Sequence, residues 1–535
     1  MSNIEYRAYD AYGNNLANPH WGRAGEQVLR LTTPGYYRGK YEMAGQDRPN
    51  PRTISNKICK QTKNIPNKHG LSDFVWAWGQ FLDHEMDLTP ESPYGEDESI
   101  MIPEDDELKK YRCGKIPFKR SIYDNSTGCS LDNPRQQINV LSSYIDGANV
   151  YGTDGTRAKA LREGADGKLK VSEHGNLLPT NSYGLPNAEL RPGEWFLAGD
   201  IRANEHAVLT SMHTLFVRED NRLCDELKNC IPAAKKEELR NGKQIDKKKL
   251  DEYLYQRARK IVDALMQVVT YEEFLPAVFG DCSLSPYKGY KCNVDASISN
   301  IFSTACYRFG HSMLSSSINV GKKDESMKLR DAFFKPELVR DRGIEPFLQG
   351  LATQVMQEID TKIVEEVRVF LFHETEHKPD EEPPTMLDLA AINIQRGRDH
   401  GLPDYNQCRV DFGLEPVWDF ADITSDTKLA KDLAACYGEV SKVDPWIGSL
   451  AEDHLPGSNV GELMFAVLKD QFERLRDGDR FWYENDPYFS KDWCRQYKEA
   501  YLYGVDDLKK TRLSHILSRN GVTGFTKTQN VFIAK

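Results

Sequence analysis

Apolar residues recur with helical spacing along most of this 535-residue chain, whereas runs with strand alternation are few and short. A chain of this length can bury a large core. The sequence therefore predicts a mainly α-helical fold. The strongest helical stretches are Asp73–Met86, Ala207–Lys228, Tyr253–Tyr271, Ala296–Leu314, Glu345–Phe372, Pro403–Phe412, Asp426–Tyr437, Val460–Arg476 and Lys491–Leu502.

The first part of the chain differs in composition from the rest. Residues 1–70 are rich in Gly, Pro and Asn and show little periodicity, so we expect an extended arm packed on the body. Residues 71–535 would then form one large domain. Within it, the charged segment Ala233–Asp251 predicts a solvated hairpin and not a binding patch.

The charge balance limits the class of partner. The chain has 70 basic and 81 acidic residues, a net charge of −11, which argues against nucleic acid or an anionic membrane surface as main partner. No run approaches the roughly eighteen apolar residues of a membrane span, and the polar segment Met1–Arg7 lacks the apolar core of a signal peptide. We expect a cytoplasmic protein or one secreted without a signal peptide. The sequence indicates no oligomeric state.

The 11 cysteines are spread through the chain and do not form a dense disulfide framework. We expect mostly reduced thiols. Cys113 with Cys129, and Cys282 with Cys292, each bracket a loop and could pair in an oxidising compartment.

A single histidine stands out in the stretch W-G-Q-F-L-D-H-E-M-D-L-T-P-E, Trp78–Glu91. Gln80 and His84 are four positions apart and share a helix face, while Asp83 lies on its adjoining edge. Taken alone, the stretch is a capped amphipathic helix with a core histidine.

Three further stretches each carry two polar residues three positions apart. These are Arg202 and Glu205 in A-G-D-I-R-A-N-E-H-A, Arg308 and His311 in A-C-Y-R-F-G-H-S-M-L, and Asn393 and Arg396 in L-A-A-I-N-I-Q-R-G-R-D-H. Each pair alone could be a surface accident. Their identity and order together match a known pattern.

With the His84 stretch, these segments resemble the animal-type haem peroxidases of the peroxidase–cyclooxygenase superfamily. Similarity runs from about Tyr6 to Ile533 and includes L-Y-Q-R-A-R-K-I-V-D-A-L-M-Q, L-R-D-G-D-R-F-W-Y-E-N-D and R-N-G-V-T-G-F. The resemblance implies one mainly helical catalytic domain with a haem b-derived group between the helices that carry His84 and His311. It also implies reduction of hydrogen peroxide through a ferryl intermediate.

The resemblance assigns a role to each residue of the pattern. His311 would bind the haem iron, and Asn393 would accept its other ring N–H and fix the tautomer. His84 would act as general base and then general acid on peroxide, and Arg202 would stabilise the charge that develops as the O–O bond breaks. Gln80 would hydrogen-bond distal water or a halide.

Further residues would hold the haem itself. Arg308 and Arg396 would pair with its propionates, a task suited to guanidinium groups. Asp83 and Glu205 match two acids that form ester bonds to haem methyl groups during peroxide turnover, so covalent haem is expected. Each acid could instead be a buried carboxyl paired with an arginine.

The chain departs from the family at two places. His206 stands where members with a third, sulfonium link to haem have methionine, so no third link is expected and efficient chloride oxidation is in doubt. Bromide, iodide, thiocyanate and small phenols are the expected donors.

The second departure concerns calcium. The family's ligands map to Glu85, Ser142, Tyr144, Asp146 and Ala148, but Glu85 is longer than the usual aspartate and Ala148 lacks the usual hydroxyl. Because calcium needs six to eight oxygens, we expect a site weaker than usual. The alternative is a loop held by its own hydrogen bonds.

Other functions remain open within the superfamily. In fatty-acid dioxygenases of the cyclooxygenase type, a radical-forming tyrosine lies three residues before the proximal histidine. Here that residue is Arg308, and Tyr307 is rotated from it by ~100° on a helix. A haem-containing adhesion protein is a second alternative, although no R-G-D or K-G-D tripeptide occurs. We interpret His213 and His400 as structural, and His373 with His377 as an exposed helix end and not a metal site.

Overall fold

The computed structural model describes residues 5–38, 41–110, 114–130, 132–188, 193–321, 325–369, 387–526 and 529–535. Its α-helices in this part of the chain are α1 (Pro51–Ile54), α2 (Phe74–Met86), α3 (Ala148–Tyr151), α4 (Gly155–Leu161), α5 (Ala207–Cys230), α6 (Ala233–Glu238), α7 (Lys247–Val269), α8 (Leu275–Phe279), α9 (Asn300–Thr304), α10 (Glu337–Arg342), α11 (Glu345–Leu351), α12 (Glu365–Arg368), α13 (Leu389–Asp399), α14 (Tyr405–Asp411), α15 (Phe420–Ile423), α16 (Thr427–Tyr437), α17 (Pro445–Ala451), α18 (Glu462–Asp477), α19 (Lys491–Tyr497), α20 (Val505–Lys509) and α21 (Leu513–Arg519).

The strands are short and pair only as two-stranded antiparallel ribbons in the described residues. The ribbons are β1 (Glu26–Gln27) with β4 (Ile138–Asn139), β2 (Ile100–Met101) with β3 (Lys115–Ile116), β5 (Arg240–Asn241) with β6 (Gln244–Ile245), and β7 (Ser317–Asn319) with β8 (Ser326–Lys328). The prediction of a mainly helical fold with few short strands is therefore confirmed.

Helix α2 lies at the centre of the core. Its side chains are buried on almost every side, as expected of a helix that is apolar around most of its circumference. Phe81 stacks on Phe216 of α5 with ring centroids 5.2 Å apart, and the Trp78 indole donates to Thr270 Oγ1 at 3.2 Å. Each of these buried aromatic side chains contributes about 1.5–3 kcal/mol of hydrophobic stabilisation. The helix is thus a fixed platform for the side chains that it carries.

The arm reaches deep into the body. Arg7 donates to both carboxylate oxygens of Asp479 at 2.9 and 2.7 Å and lies 3.4 Å from Asp263 of α7. Later in the arm, β1 pairs with β4, and Asn50 caps the short helix α1. The described part of the arm is therefore anchored by buried ion pairs and main-chain pairing, while its status as a separate unit stays a prediction.

One predicted helix, Ala296–Leu314, is wrong as a continuous element. It divides into α9 and a 3₁₀ turn at Cys306–Ser312, with a break at Ala305 (φ −133°, ψ −78°). Arg308 Nε donates to the carbonyl of Ser303 at 2.9 Å, the carbonyl that a continuing helix would use internally. The side chain thus competes with the main chain at the point where the turn tightens.

A second predicted helix, Glu345–Phe372, is also wrong as one element. It ends at Leu351, and α12 begins only at Glu365. The intervening residues run extended because they pair with the arm and the start of the body, as in the bridges between Lys60 and Ile363 and between Pro66 and Gln357. Residues 370–372 of this prediction lie outside the described residues.

The other predicted helices are present with shifted ends, and the charged segment forms α6 followed by the β5–β6 hairpin. No helix among the described residues combines the length and apolar character needed to cross a membrane. The described cysteines are all free, including Cys282 and Cys292, whereas Cys113 lies outside the described residues.

Candidate active site

A cavity of about 280 Å³ opens between α2 and the 3₁₀ turn. The walls are adjacent, since the Tyr307 hydroxyl of the turn donates to the Gly79 carbonyl of α2 at 3.2 Å. The predicted haem and catalytic residues meet here, and the ones that line the cavity are Gln80, Asp83, His84, Arg202, Glu205, Arg308, His311 and Arg396. Asn393 lies behind His311.

His84 supplies a neutral imidazole on the α2 side. It is 5% exposed, and burial together with the positive charge of Arg202 lowers its pKa well below the usual value. Its Nδ1 atom has no hydrogen-bond partner and lies 3.7 Å from Asp200 Oδ1. A neutral imidazole has an unprotonated ring nitrogen, so His84 can act as a proton acceptor beside the cavity.

Arg202 is clamped beside His84 by Asp200. The guanidinium donates from Nε to Oδ1 at 2.9 Å and from Nη2 to Oδ2 at 3.0 Å, and Nη2 also reaches the carbonyl of Asp87 at 3.1 Å. Burial alone would raise the pKa of Asp200, but the charge of Arg202 and its hydrogen bonds to the carboxylate outweigh burial and hold the pKa at about 2. Sequence reasoning missed Asp200, although an acid two residues before the arginine was a usable signal.

Two half-buried carboxyl groups face the same cavity. Burial, helped by the charge of Asp87, raises the pKa of Asp83 to about 7, and burial raises the pKa of Glu205 to about 7. Arg202 Nη1 lies 3.8 Å from Asp83 Oδ2, too far for a hydrogen bond. Both sites therefore favour an uncharged carboxyl group.

His311 supplies the imidazole on the opposite wall. Burial, with the charge of Arg308, lowers its pKa to about 3, so the ring is neutral and able to bind a metal. Asn393 is 2.8 Å from His311 Nδ1 as predicted, but the amide is reversed: Nδ2 faces the ring, and Oδ1 accepts from Arg308 Nη1 at 2.9 Å. Asn393 must turn about its amide and leave Arg308 before it can accept the ring N–H of an iron-bound His311.

The two predicted propionate partners differ in their surroundings. Arg308 forms no ion pair with any carboxylate in the described part of the chain, and burial together with Arg396 lowers its pKa. Arg396 is already satisfied by Glu91 at 2.8 Å and by Asp399 at 3.1 Å. Arg308 therefore carries the unbalanced positive charge that an anionic haem edge would neutralise.

Gln80 is tied to His206. His206 Nδ1 accepts the N–H of Leu209 at 3.1 Å and caps α5, so the ring proton is on Nε2, which donates to Gln80 Oε1 at 2.7 Å. The sequence placed Gln80 on the cavity face but gave no sign that His206, 126 residues away, would hold it.

Glu85, a predicted calcium ligand, is engaged by the backbone of the loop that was expected to bind calcium. Glu85 accepts hydrogen bonds from the backbone N–H groups of Asp146, Gly147 and Asn149, at 2.7, 2.5 and 2.9 Å. Calcium requires converging oxygens, whereas these donors converge on a carboxylate. The Ser142 hydroxyl, a second predicted ligand, donates to Asp146 Oδ2 at 2.8 Å. These contacts match the alternative of a loop held by its own hydrogen bonds.

The remaining histidines behave as structural groups. His400 is bonded through Nδ1 to Asn300 and through Nε2 to Ser121, and His213 Nδ1 bonds the carbonyl of Asn149. His373 and His377 lie outside the described residues.

Comparison with known proteins decides the family. The family model for animal haem peroxidases matches residues 6–532. The chain belongs to the animal haem peroxidase family. It is 34% identical to Peroxinectin A of Dictyostelium discoideum over 505 residues, 90% of this chain and 89% of that protein. The solved structure of Peroxidase A from the same organism matches with a TM-score of 0.82 and 31% identity, covering 100% of this chain and 99% of that one.

A fatty acid alpha-dioxygenase of Arabidopsis thaliana matches with a TM-score of 0.78 but only 20% identity, over 99% of this chain and 83% of that one. That likeness shows a shared fold alone. As a member of the animal haem peroxidase family, the chain is an oxidoreductase that uses haem, peroxide and a reductant. The cavity fits this cofactor, because its lining includes a neutral histidine, an arginine with no carboxylate partner among the described residues, and two carboxyl groups whose pKa is raised to about 7.

Proposed function

We propose that this haem peroxidase oxidises small anions, with bromide, iodide and thiocyanate preferred to chloride and with small phenols as further donors. The observation that carries the proposal is the joint placement of Arg202 and Gln80 beside His84 in one cavity. A guanidinium and an amide can both donate to an anion. His206, the position of a third haem link in other members, is engaged with Gln80.

The residues of the cavity have separate roles in the reaction with peroxide. When bound, haem would supply the redox chemistry that links oxidation of the reductant to cleavage of the peroxide O–O bond. Neutral His84 takes the proton from one peroxide oxygen and delivers it to the other, which leaves as water. Arg202, fixed by Asp200, stabilises negative charge on the departing oxygen. His311 would hold the iron, with Asn393 turned to accept its N–H.

We further propose that Asp83 and Glu205 form ester links to the haem. Both carboxyl groups line the cavity, are half-buried, and have a pKa raised to about 7, so their sites shift the balance toward the uncharged form. An ester is a permanently uncharged form of a carboxyl group, so the link removes the cost of burying a charge. Neither acid forms a hydrogen-bonded pair with a described arginine.

The first test is an absorption spectrum and an intact mass of the haem-loaded protein, taken before and after a few equivalents of hydrogen peroxide. We expect a haem absorption band that is lost in His311→Ala, and haem mass retained by the denatured wild-type chain after peroxide. Asp83→Asn and Glu205→Gln should each retain a single link. Haem binding indifferent to His311, or no reaction with peroxide, would overturn the proposed activity.

Substrate preference is tested by kcat/KM for bromide, iodide, thiocyanate, chloride and a phenol. Chloride should be the poorest donor of the halides, and chloride turnover equal to bromide would refute the preference. A dioxygenase role is not favoured, because the Tyr307 hydroxyl is fixed to the Gly79 carbonyl by a hydrogen bond.

A further inference from the structure

The segment that carries His206 is held rigidly on both sides. His206 forms a main-chain bridge with Phe333, and the N–H groups of Ala207 and Phe334 donate to Ala332 and Glu205 at 3.2 and 2.8 Å. The imidazole is 2% exposed and lies between Trp76 and Phe333, with ring centroids 5.6 and 5.8 Å away. The ring therefore has little freedom to turn.

The two ring nitrogens have fixed and opposite roles. The backbone N–H of Leu209 can only donate, so Nδ1 must be the acceptor and cannot carry the proton of a neutral ring. The proton is then on Nε2, and the group that it meets at 2.7 Å must present an oxygen. That oxygen is Oε1 of Gln80.

A fixed oxygen orients the whole amide. With Oε1 held by His206, the NH2 group of Gln80 points to the other side, toward the cavity that Gln80 and Glu205 both line. A glutamine free to rotate could offer either its oxygen or its nitrogen to a ligand. This one offers only N–H.

We infer that His206 is a positioning residue that sets the specificity of the distal cavity for anions, by locking Gln80 with its N–H donors toward the bound anion. The inference rests on the proposed oxidation of small anions and names the residue responsible for it. N–H donors favour a bromide or thiocyanate ion over a neutral phenol, because a hydrogen bond to a charged acceptor is stronger than one to an uncharged oxygen.

Two substitutions separate the two hydrogen bonds of His206. His206→Asn keeps an acceptor suited to capping α5 but removes the donor to Gln80, because asparagine is among the preferred caps and is shorter. His206→Gln extends an amide N–H toward the place of Nε2 but loses the cap. If His206 acted only as a cap, the Asn variant would behave as the wild type.

The experiment measures bromide and thiocyanate dissociation constants of the ferric holoenzyme by difference absorption spectra. Loss of one hydrogen bond should raise both constants about 5- to 10-fold in His206→Asn. His206→Gln should recover most of the affinity, and Gln80→Leu should show at least the loss seen in the Asn variant. The ratio of kcat/KM for bromide to kcat/KM for a phenol should fall in parallel with the loss of anion affinity.

Anion constants in His206→Asn within twofold of wild type, or a Gln variant as weak as the Asn variant, would overturn the inference. These outcomes are separable from failure of the proposed function. If the wild-type protein binds anions but does not oxidise them with peroxide, the proposed function is refuted. The dissociation constants of the ferric protein still decide the role of His206 in that case.

Discussion

Replacing Glu85 by alanine should free the loop that carries α3, because this one carboxylate satisfies three backbone N–H groups of the loop. An unsatisfied buried N–H costs about 1–3 kcal/mol. Water entering the vacated space and relief of repulsion from Asp146 offset part of the sum. We therefore expect a local loss of about 3–5 kcal/mol.

Amide hydrogen exchange measures this loss of local stability directly. Every 1.4 kcal/mol is a factor of ten, so the amides of Asp146, Gly147 and Asn149 should exchange at least about 100-fold faster in Glu85→Ala. The matched control is Asp154→Ala, since Asp154 caps α4 by accepting from two backbone N–H groups but is exposed. In Asp154→Ala the local loss of stability should stay within about 2 kcal/mol.

The same assay tests the role of calcium. We expect no bound calcium by elemental analysis, and no change in exchange when the wild-type protein is treated with a chelator or with about 1 mM calcium. Positive charge near Asp146 comes from Arg7 and Arg259, whose charges lower its pKa against the larger upward effect of burial. Stoichiometric calcium, or exchange accelerated by the chelator as much as by Glu85→Ala, would refute the reasoning.

Two further predictions concern the chemistry on peroxide. Because burial and Arg202 place the pKa of His84 well below 6.5, its basic form persists as pH falls, and the rate constant for reaction with peroxide should stay flat from about pH 8 to about pH 5 in stopped-flow measurements. Asp83 and Glu205 line the same cavity with a pKa of about 7, so a one-group fall below about pH 6.5 contradicts this assignment when it persists in both Asp83→Asn and Glu205→Gln. Asp200→Asn removes the charge that clamps Arg202, so the same rate constant should drop about 10-fold. A wild-type rate in this variant would show that the clamp is dispensable.

Local periodicity and the family pattern together predicted α2, and they placed Gln80 and His84 on the face that lines the cavity. Such a prediction needs only the spacing of residues along one helix. The helices at Ala296–Leu314 and Glu345–Phe372 were wrong because other groups compete for their backbone, within the segment in the first case and from a distant part of the chain in the second. One competitor is a side chain, Arg308, and the other is the arm.

The reversed amide of Asn393 shows a different limit. The structure places Asn393 2.8 Å from His311 Nδ1, but a pattern of residue types does not say which amide atom faces the ring. The orientation of the amide is decided by its second partner, Arg308, which donates a hydrogen bond to the amide oxygen. The hydrogen-bond network therefore has to be read from the fold, and it changes once a ligand draws Arg308 away.

The two departures from the family act on the same helix from opposite sides. Glu85 fixes the back of α2 to the loop before α3, and His206 fixes Gln80 on its front to the start of α5. Both sets of hydrogen bonds involve buried groups, and such bonds are strong where water is excluded. His84 lies on α2 between these two anchors, which together fix the position of the helix that carries it.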